Sequence, residues 1–304
     1  MRSIRVGTRG SKLALVQADM VIEALRTSNP SLPVERLIIT TEGDRRRRAS
    51  LLAIGGQGVF TRELEIALLD GEIDIAVHSL KDLPSSLPDG LLLAATPPRA
   101  DIRDMLITRD GTPLSELPQQ AIVGTASLRR RAQLLVIRPD LIMKDIRGNV
   151  DTRLAKLERG DYDAIVLAAA GLARLEWLDN IHAEALSTEW MIPAPGQGTL
   201  GIECRSDDQL VRHALTTIND PIAFASAQAE RAVLRRFGIG CRLPLAALAT
   251  CDNEHLTLRA RVLSHTGTPI FDATTNGPLS DAETLGTQAA AELVAQGSLE
   301  LLEL

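Results

Sequence analysis

Aromatic residues make up only 2% of this 304-residue chain: one Tyr, two Trp and four Phe. Its cores must therefore be aliphatic, and there is no row of rings on which nucleic-acid bases could stack. Cysteine is scarce as well. Cys204, Cys241 and Cys251 are odd in number and lack metal-ligand spacing, which argues against a disulfide framework and against a zinc site. No apolar run reaches membrane-spanning length, and residues 1–25 interleave charge with apolar positions, unlike a secretion signal. An excess of basic charge is missing too. A formal charge of -6 disfavours a general polyanion binder, although clustered arginines can still build a local positive cleft. The expectation is a cytoplasmic protein with no metal, no nucleic-acid partner and no membrane. A chain of this length exceeds one ordinary core and should form two or three domains.

What is present is a phrase stated twice. Ile4-Arg5-Val6-Gly7-Thr8-Arg9-Gly10-Ser11 and Ala121-Ile122-Val123-Gly124-Thr125-Ala126-Ser127 are both apolar strands that break at Gly-Thr and run into a helical pattern. Downstream, residues 60–83 are echoed by 151–172, each a helix ending at Gly followed by an apolar strand. The endings differ, Lys81-Asp82 in the first copy and Ala170-Gly171 in the second. This reads as duplication of an α/β lobe with a largely parallel sheet. Turn-rich crossings at 96–101 and 193–198 take the chain out to the second lobe and back, which makes a hinge. From Pro221 the pattern becomes helix, meandering strands and a last helix, a small α+β domain. The predicted division is 1–98 with 199–219, 99–198, and 220–304.

Ligands of such sheets bind beyond the carboxyl ends of the strands, where helix N-termini present free N–H groups. Both Gly-Thr turns fall there. The first carries Arg9, Ser11 and Lys12, the second Ser127, Arg129 and Arg130; Arg147 and Arg153 flank the next helix start, and Arg174 follows the strand ending at Ala170. So many guanidinium forks suit a molecule with several carboxylates. Asp82 ends its strand at the cleft, placed to interact with a cationic nitrogen. Cys241, between Gly240 and Arg242, has the setting of a reactive thiolate, whereas Cys204 on an apolar strand reads as inert. His78 reads as a structural hydrogen-bonder, Arg45–Arg48 as a solvated loop face, and residues 54–58 as a flap. These residues alone leave open an enzyme using Asp82 and Cys241, a non-catalytic two-lobed binding protein for a polycarboxylate, and a Schiff-base enzyme using Lys81.

Taken together, GTRGSKLALVQA, GVFTRELE, DIAVHSLKDLP, VGTASLRRRAQL, RGNVDTRL, AAAGLARL, PAPGQG and GIGCRLP resemble the porphobilinogen deaminases (hydroxymethylbilane synthases) across essentially the whole chain. The resemblance implies two lobes like those of periplasmic binding proteins, a third domain carrying the cysteine, and a monomer. It further implies a dipyrromethane cofactor joined to Cys241 by a thioether, on which four porphobilinogen units are condensed before hydroxymethylbilane is released. Asp82 maps to the catalytic carboxylate. Arg9, Arg129, Arg130, Arg147, Arg153 and Arg174 map to the groups that neutralise acetate and propionate side chains. Ser11, Gln17, Ser79, Lys81, Thr125, Ser127, Gly148 and Gln197 complete the implied cofactor and substrate contacts. The chain departs from the family's pattern at Ala53 and Gln57, where flap lysines are common and for which Arg45–Arg48 are candidate substitutes, and at Arg242, commonly Gln.

Overall fold

The computed structural model describes residues 2–39, 61–238 and 243–302. The first sheet has the order β2-β1-β3-β10-β4, with β1 at Ile4–Thr8, β2 at Val34–Ile38, β3 at Ile75–Ser79, β4 at Leu91–Ala95 and β10 at Leu200–Arg205. The second has the order β7-β6-β8-β5-β9, built from β5 at Asp104–Thr108, β6 at Ile122–Gly124, β7 at Ile142–Lys144, β8 at Ala164–Ala168 and β9 at His182–Ala185. The two orders correspond strand for strand. β1 and β6 stand second in their sheets and run parallel to both neighbours; β10 and β5 each run antiparallel to the central strand, β3 or β8. Each antiparallel strand is the one that follows a crossing, so the hinge consists of two chain segments entering opposite lobes.

The sheets are largely parallel, as expected: four of the five strands in each run one way, and only β10 and β5 are reversed, each antiparallel to both neighbours. β5, β9 and a helix at Gln209–Thr216 were not foreseen. β5 and β9 are short and bounded by charge and turn residues, so they show neither long alternation nor a long apolar run.

Helices cover the sheets: α1 at Lys12–Ser28, α2 at Arg62–Leu69, α3 at Leu128–Ile137, α4 at Val150–Glu158, α5 at Ala169–Arg174 and α6 at Gln209–Thr216. The two Gly-Thr turns have one physical cause. A Cβ on Gly7 would meet Ile73 Cδ1 at 2.3 Å, and one on Gly124 would meet Tyr162 Cδ1 at 2.8 Å, so only glycine lets strand and loop approach. Each turn then delivers a serine cap, Ser11 accepting from the Ala14 N–H and Ser127 from the Arg130 N–H.

The third unit has α7 at Pro221–Phe237, an antiparallel sheet of β11 (Leu245–Asp252), β12 (His255–Leu263) and β13 (Ile270–Pro278), and α8 at Ala282–Ala295. Its aliphatic core runs from Ala225 and Val233 through Leu256 and Leu258 to Leu293, as the shortage of rings requires. α7 also secures the hinge. Buried Glu230 receives the Arg99 guanidinium at 2.7 and 3.1 Å, the Gly196 N–H at 2.6 Å and the Ala249 N–H at 2.8 Å. One carboxylate thus ties both crossings to the third domain. The crossings touch at Gly198, where φ is +86° and a Cβ would lie 2.6 Å from the Ala100 carbonyl oxygen, so no side chain fits.

Candidate active site

β3 ends at Ser79 and the chain turns at once through a single 3-10 turn, Leu80–Asp82. Leu80 and Leu83 are buried, and between them Lys81 is half-buried and Asp82 exposed. The turn therefore anchors by its leucines and presents its charges. Gln17 of α1 lies behind it, donating to Ser79 Oγ at 2.8 Å.

Across the interlobe cleft stand the residues that begin α3. Arg129 Nη1 reaches Asp104 Oδ2 and the Ile192 carbonyl, both at 2.7 Å. Arg130 reaches Asp104 Oδ1 through Nε at 2.9 Å and Nη2 at 2.7 Å, and donates through Nη1 to the Val166 carbonyl at 2.7 Å. Gln197, from the second crossing, donates to Asp104 Oδ1 at 3.0 Å and accepts from Lys81 Nζ at 3.4 Å. A continuous chain thus runs from Lys81 of the first lobe through Gln197 to Asp104 and the arginine pair of the second. Burial alone would push the Asp104 carboxyl up; Arg129 and Arg130 outweigh it and hold the group far below the carboxylate range.

The remaining cations line the same cleft. Arg153 at the start of α4 donates to the Gly148 carbonyl at 2.8 Å, and Arg174 at the end of α5 donates to the Gly198 carbonyl at 2.8 Å. Burial, and then the positive charge of Arg130, lowers Arg153 from its ordinary value while Asp82 pulls it back. Burial brings Arg174 down to about 10, and burial with Arg130 brings Lys81 down to about 8 against Asp82 and Asp104. Cations lowered in this way are short of negative partners. The Nε atoms of Arg129 and Arg174 are buried without a hydrogen-bond acceptor among the described residues.

Several sequence candidates play different parts from one another. Arg9 is half-buried at the first Gly-Thr turn and Arg147 is exposed beside Gly148, whose φ is +115°. Ser11 and Ser127 spend their hydroxyls as helix caps, and Thr125 Oγ1 accepts from the Ser127 N–H at 3.1 Å. His78 lies inside the first lobe with Nε2 2.7 Å from Glu203 Oε2, although the pair lacks hydrogen-bond geometry. Burial pushes the Cys204 thiol up to about 11. Cys241, Arg242, the arginine run 45–48 and the flap at 53–58 lie outside the described residues. Two functional residues escaped the sequence reading, Asp104 and Glu230. An acidic residue at the head of an apolar strand (Asp104-Met105-Leu106-Ile107) is the only signal the first leaves, and Glu230 looks like an ordinary polar position on an amphipathic helix.

A two-lobed α/β fold joined by two crossings, with a cation-rich cleft between the lobes, defines a protein suited to a polyanionic small molecule. The comparisons make this specific. A family profile described as "Porphobilinogen deaminase, dipyromethane cofactor binding domain" matches residues 4–213, and "Porphobilinogen deaminase, C-terminal domain" matches 224–295. Porphobilinogen deaminase of Syntrophotalea carbinolica is 48% identical over 300 residues, covering 99% of this chain and 95% of that protein. The Bacillus subtilis protein of the same name is 44% identical over 304 residues, covering 100% and 96%. The chain belongs to the porphobilinogen deaminase family. Among solved structures, an ancestral cationic amino-acid solute-binding protein aligns with a TM-score of 0.44 at 14% identity, covering 71% of this chain and 88% of its own.

The family's cofactor is a dipyrromethane, and the donor set here suits one. Its acetate and propionate groups require cations in excess of carboxylates, and among the described residues Lys81, Arg130 and Arg153 act on one another with Asp82 and Asp104 opposing them. Asp104 leaves Arg130 with N–H groups to spare, since a guanidinium has five.

Proposed function

We propose that this chain deaminates porphobilinogen and condenses four units head to tail on a dipyrromethane held at Cys241, releasing hydroxymethylbilane for tetrapyrrole synthesis. The observation that carries the reading is the exposed Asp82 carboxylate facing the cation-lined wall of the second lobe: its charge acts on Lys81, Arg130 and Arg153 together. A site with cations for substrate carboxylates and one uncommitted carboxylate for the reacting pyrrole matches this chemistry.

The bound dipyrromethane supplies the pyrrole carbon to which the first substrate unit is joined. This chain's residues do the rest. Arg9, Arg130, Arg147, Arg153 and Arg174 hold carboxylates, with Lys81 as a further point charge. Arg129 keeps N–H groups for a ligand while bracing the wall through Asp104. Ser11, Ser127, Thr125 and Gly148 shape the ends of the wall, Gln17 sets Ser79, and Gln197 aligns Lys81. Departure of ammonia breaks the C–N bond of the substrate's aminomethyl group and leaves a cation conjugated with the pyrrole N–H. Asp82 stabilises that cation, accepts the N–H hydrogen bond, and takes up the proton released when the new C–C bond restores aromaticity. Burial of Arg129 and Arg130 strengthens the interactions that these two make.

The domain division 1–98 with 199–219, 99–198 and 220–304 belongs to the same reading, with Asp82 in the first unit, the arginine wall in the second and Cys241 in the third. The protein is read as a cytoplasmic monomer without nucleic-acid or membrane partners. No described helix is long and apolar enough to cross a membrane. Cys204 is buried and its thiol raised, so it makes a poor nucleophile, which supports Cys241 as the attachment point. Intact mass of the denatured protein tests the reading: a dipyrromethane increment carried by the Cys241 peptide, absent in Cys241→Ser and kept in Cys204→Ala and Cys251→Ala. An unmodified Cys241 peptide from protein that still converts porphobilinogen would overturn it.

A further inference from the structure

The chain that follows Asp82 is held from outside its own lobe. Arg231 of α7 donates to three successive carbonyls, Leu83 at 3.3 Å, Pro84 at 2.6 Å and Ser85 at 3.2 Å. One helical turn earlier, Ala227 packs against Leu80 and Leu83, the two buried leucines that bracket Lys81 and Asp82. Residues 227 and 231 lie on the same face of the helix. That face therefore grips the 3-10 turn with a methyl group and a guanidinium.

Arg231 is buried, and the groups it donates to are these backbone carbonyls. Burial, followed by repulsion from Arg235, brings it down to about 10. An arginine kept at such a cost only to dock two domains could be replaced by apolar packing, whereas three carbonyls in a row need a planar fork. The same helix leads, four residues past its end at Phe237, to Cys241.

We infer that Arg231 is a positioning residue for Asp82. It fixes the peptide segment that aims the carboxylate into the cleft, so that the helix leading to the attachment cysteine and the catalytic turn move as one unit. This rests on the reading of Asp82 as the catalytic carboxylate. Displacement of a catalytic group by about 1 Å costs on the order of a hundredfold in rate. Loss of the fork should therefore appear chiefly in kcat with KM little changed, because most of the carboxylate-binding arginines, Arg130, Arg147, Arg153 and Arg174, sit on the other lobe.

The test uses the full-length, cofactor-loaded protein. Arg231→Lys keeps the charge but replaces the two-nitrogen fork with a single ammonium; Arg231→Gln removes the charge. Both should carry the dipyrromethane mass, and per loaded molecule kcat should fall about tenfold or more with KM within about twofold. Amide exchange at Leu83 and Ser85 should quicken while that of β3 stays as in the parent. In an Asp82→Asn background the Arg231 substitutions should change the residual rate little, since the group being aimed is gone. Should Arg231→Gln fail to fold, the Lys variant decides. Parental kcat and unchanged exchange in loaded Arg231→Lys would overturn the inference, as would an equal rate loss with and without Asp82. A fully active Asp82→Asn protein would instead remove the reading beneath it.

Discussion

Asp104 grips Arg130 through two nitrogens, Nε at 2.9 Å and Nη2 at 2.7 Å, while its other oxygen holds Arg129 at 2.7 Å. A single buried carboxylate thereby neutralises one charge of a guanidinium pair and fixes both planes. The pair presents a net single positive charge to the cleft. Its spare N–H groups are aimed before any ligand arrives, which lowers the cost of binding.

Asp104→Asn should leave two guanidiniums buried without their counter-charge. Removal of one member of a buried ion-pair network costs about 3–5 kcal/mol. Denaturant unfolding should show a loss of that size with an unchanged slope. A variant within about 1 kcal/mol of the parent would mean that the carbonyls of Ile192 and Val166 suffice to hold the pair.

Lys81 gives the site a pH dependence. Burial and Arg130 bring it down to about 8 in protein without cofactor, so its charged form prevails below that value and is lost as pH rises through it. Assembly of the dipyrromethane by cofactor-free protein, followed by intact mass, should slow above about pH 8. Lys81→Arg keeps its charge and should shift that alkaline limb upward by at least about one pH unit. An unmoved limb would assign the titration to another group.

At the far end of the first lobe Asp74 gathers Arg5, Arg205 and Arg2 at 2.8–2.9 Å. Burial opposes ionisation of Asp74, but these partners bring its carboxyl down to about 2 from 3.8. Because the folded value is the lower one, the group contributes stability above about pH 4 that disappears as pH falls through about 2. A shift of this size is worth about 2 kcal/mol. Asp74→Asn should lose that amount at pH 7, and the gap between variant and parent should close on approach to pH 2.

Much of this was legible in the sequence because it rests on local rules. The two Gly-Thr turns are dictated by Gly7 and Gly124 against Ile73 and Tyr162, and the helices after them by their serine caps. Asp82 stood out because the repeated strands end differently. What stayed hidden depends on distant partners. β5 and β9 are short strands stabilised by partners far away in sequence, as in the pairing of Met105 with Leu167 and Ala185. Asp104 and Glu230 leave little or no local pattern; their meaning comes from arginines and N–H groups that only the folded chain brings together. The sequence also offers Arg129 and Arg130 as two equal ligand-binding arginines, whereas folding commits part of each to Asp104.

Asp82→Asn separates charge from shape at the centre of the proposed chemistry. Asn has the size of Asp and can remain on the same 3-10 turn, which is anchored by Leu80, Leu83 and Arg231. Folding should be unaffected. What disappears is the negative charge opposite the cation left when ammonia departs, together with the group that takes up the pyrrole proton. Loss of one group aimed at the charge that develops in the transition state costs about a hundredfold or more in rate. The variant should therefore bind substrate, since Arg130, Arg153 and Lys81 are intact, yet turn over at about one hundredth of the parental rate or less. Cofactor-loaded protein with KM near the parental value and a collapsed kcat is the expected result. Near-parental kcat would place the catalytic carboxylate elsewhere in the cleft, because the described alternative, Asp104, is already bound by two guanidiniums.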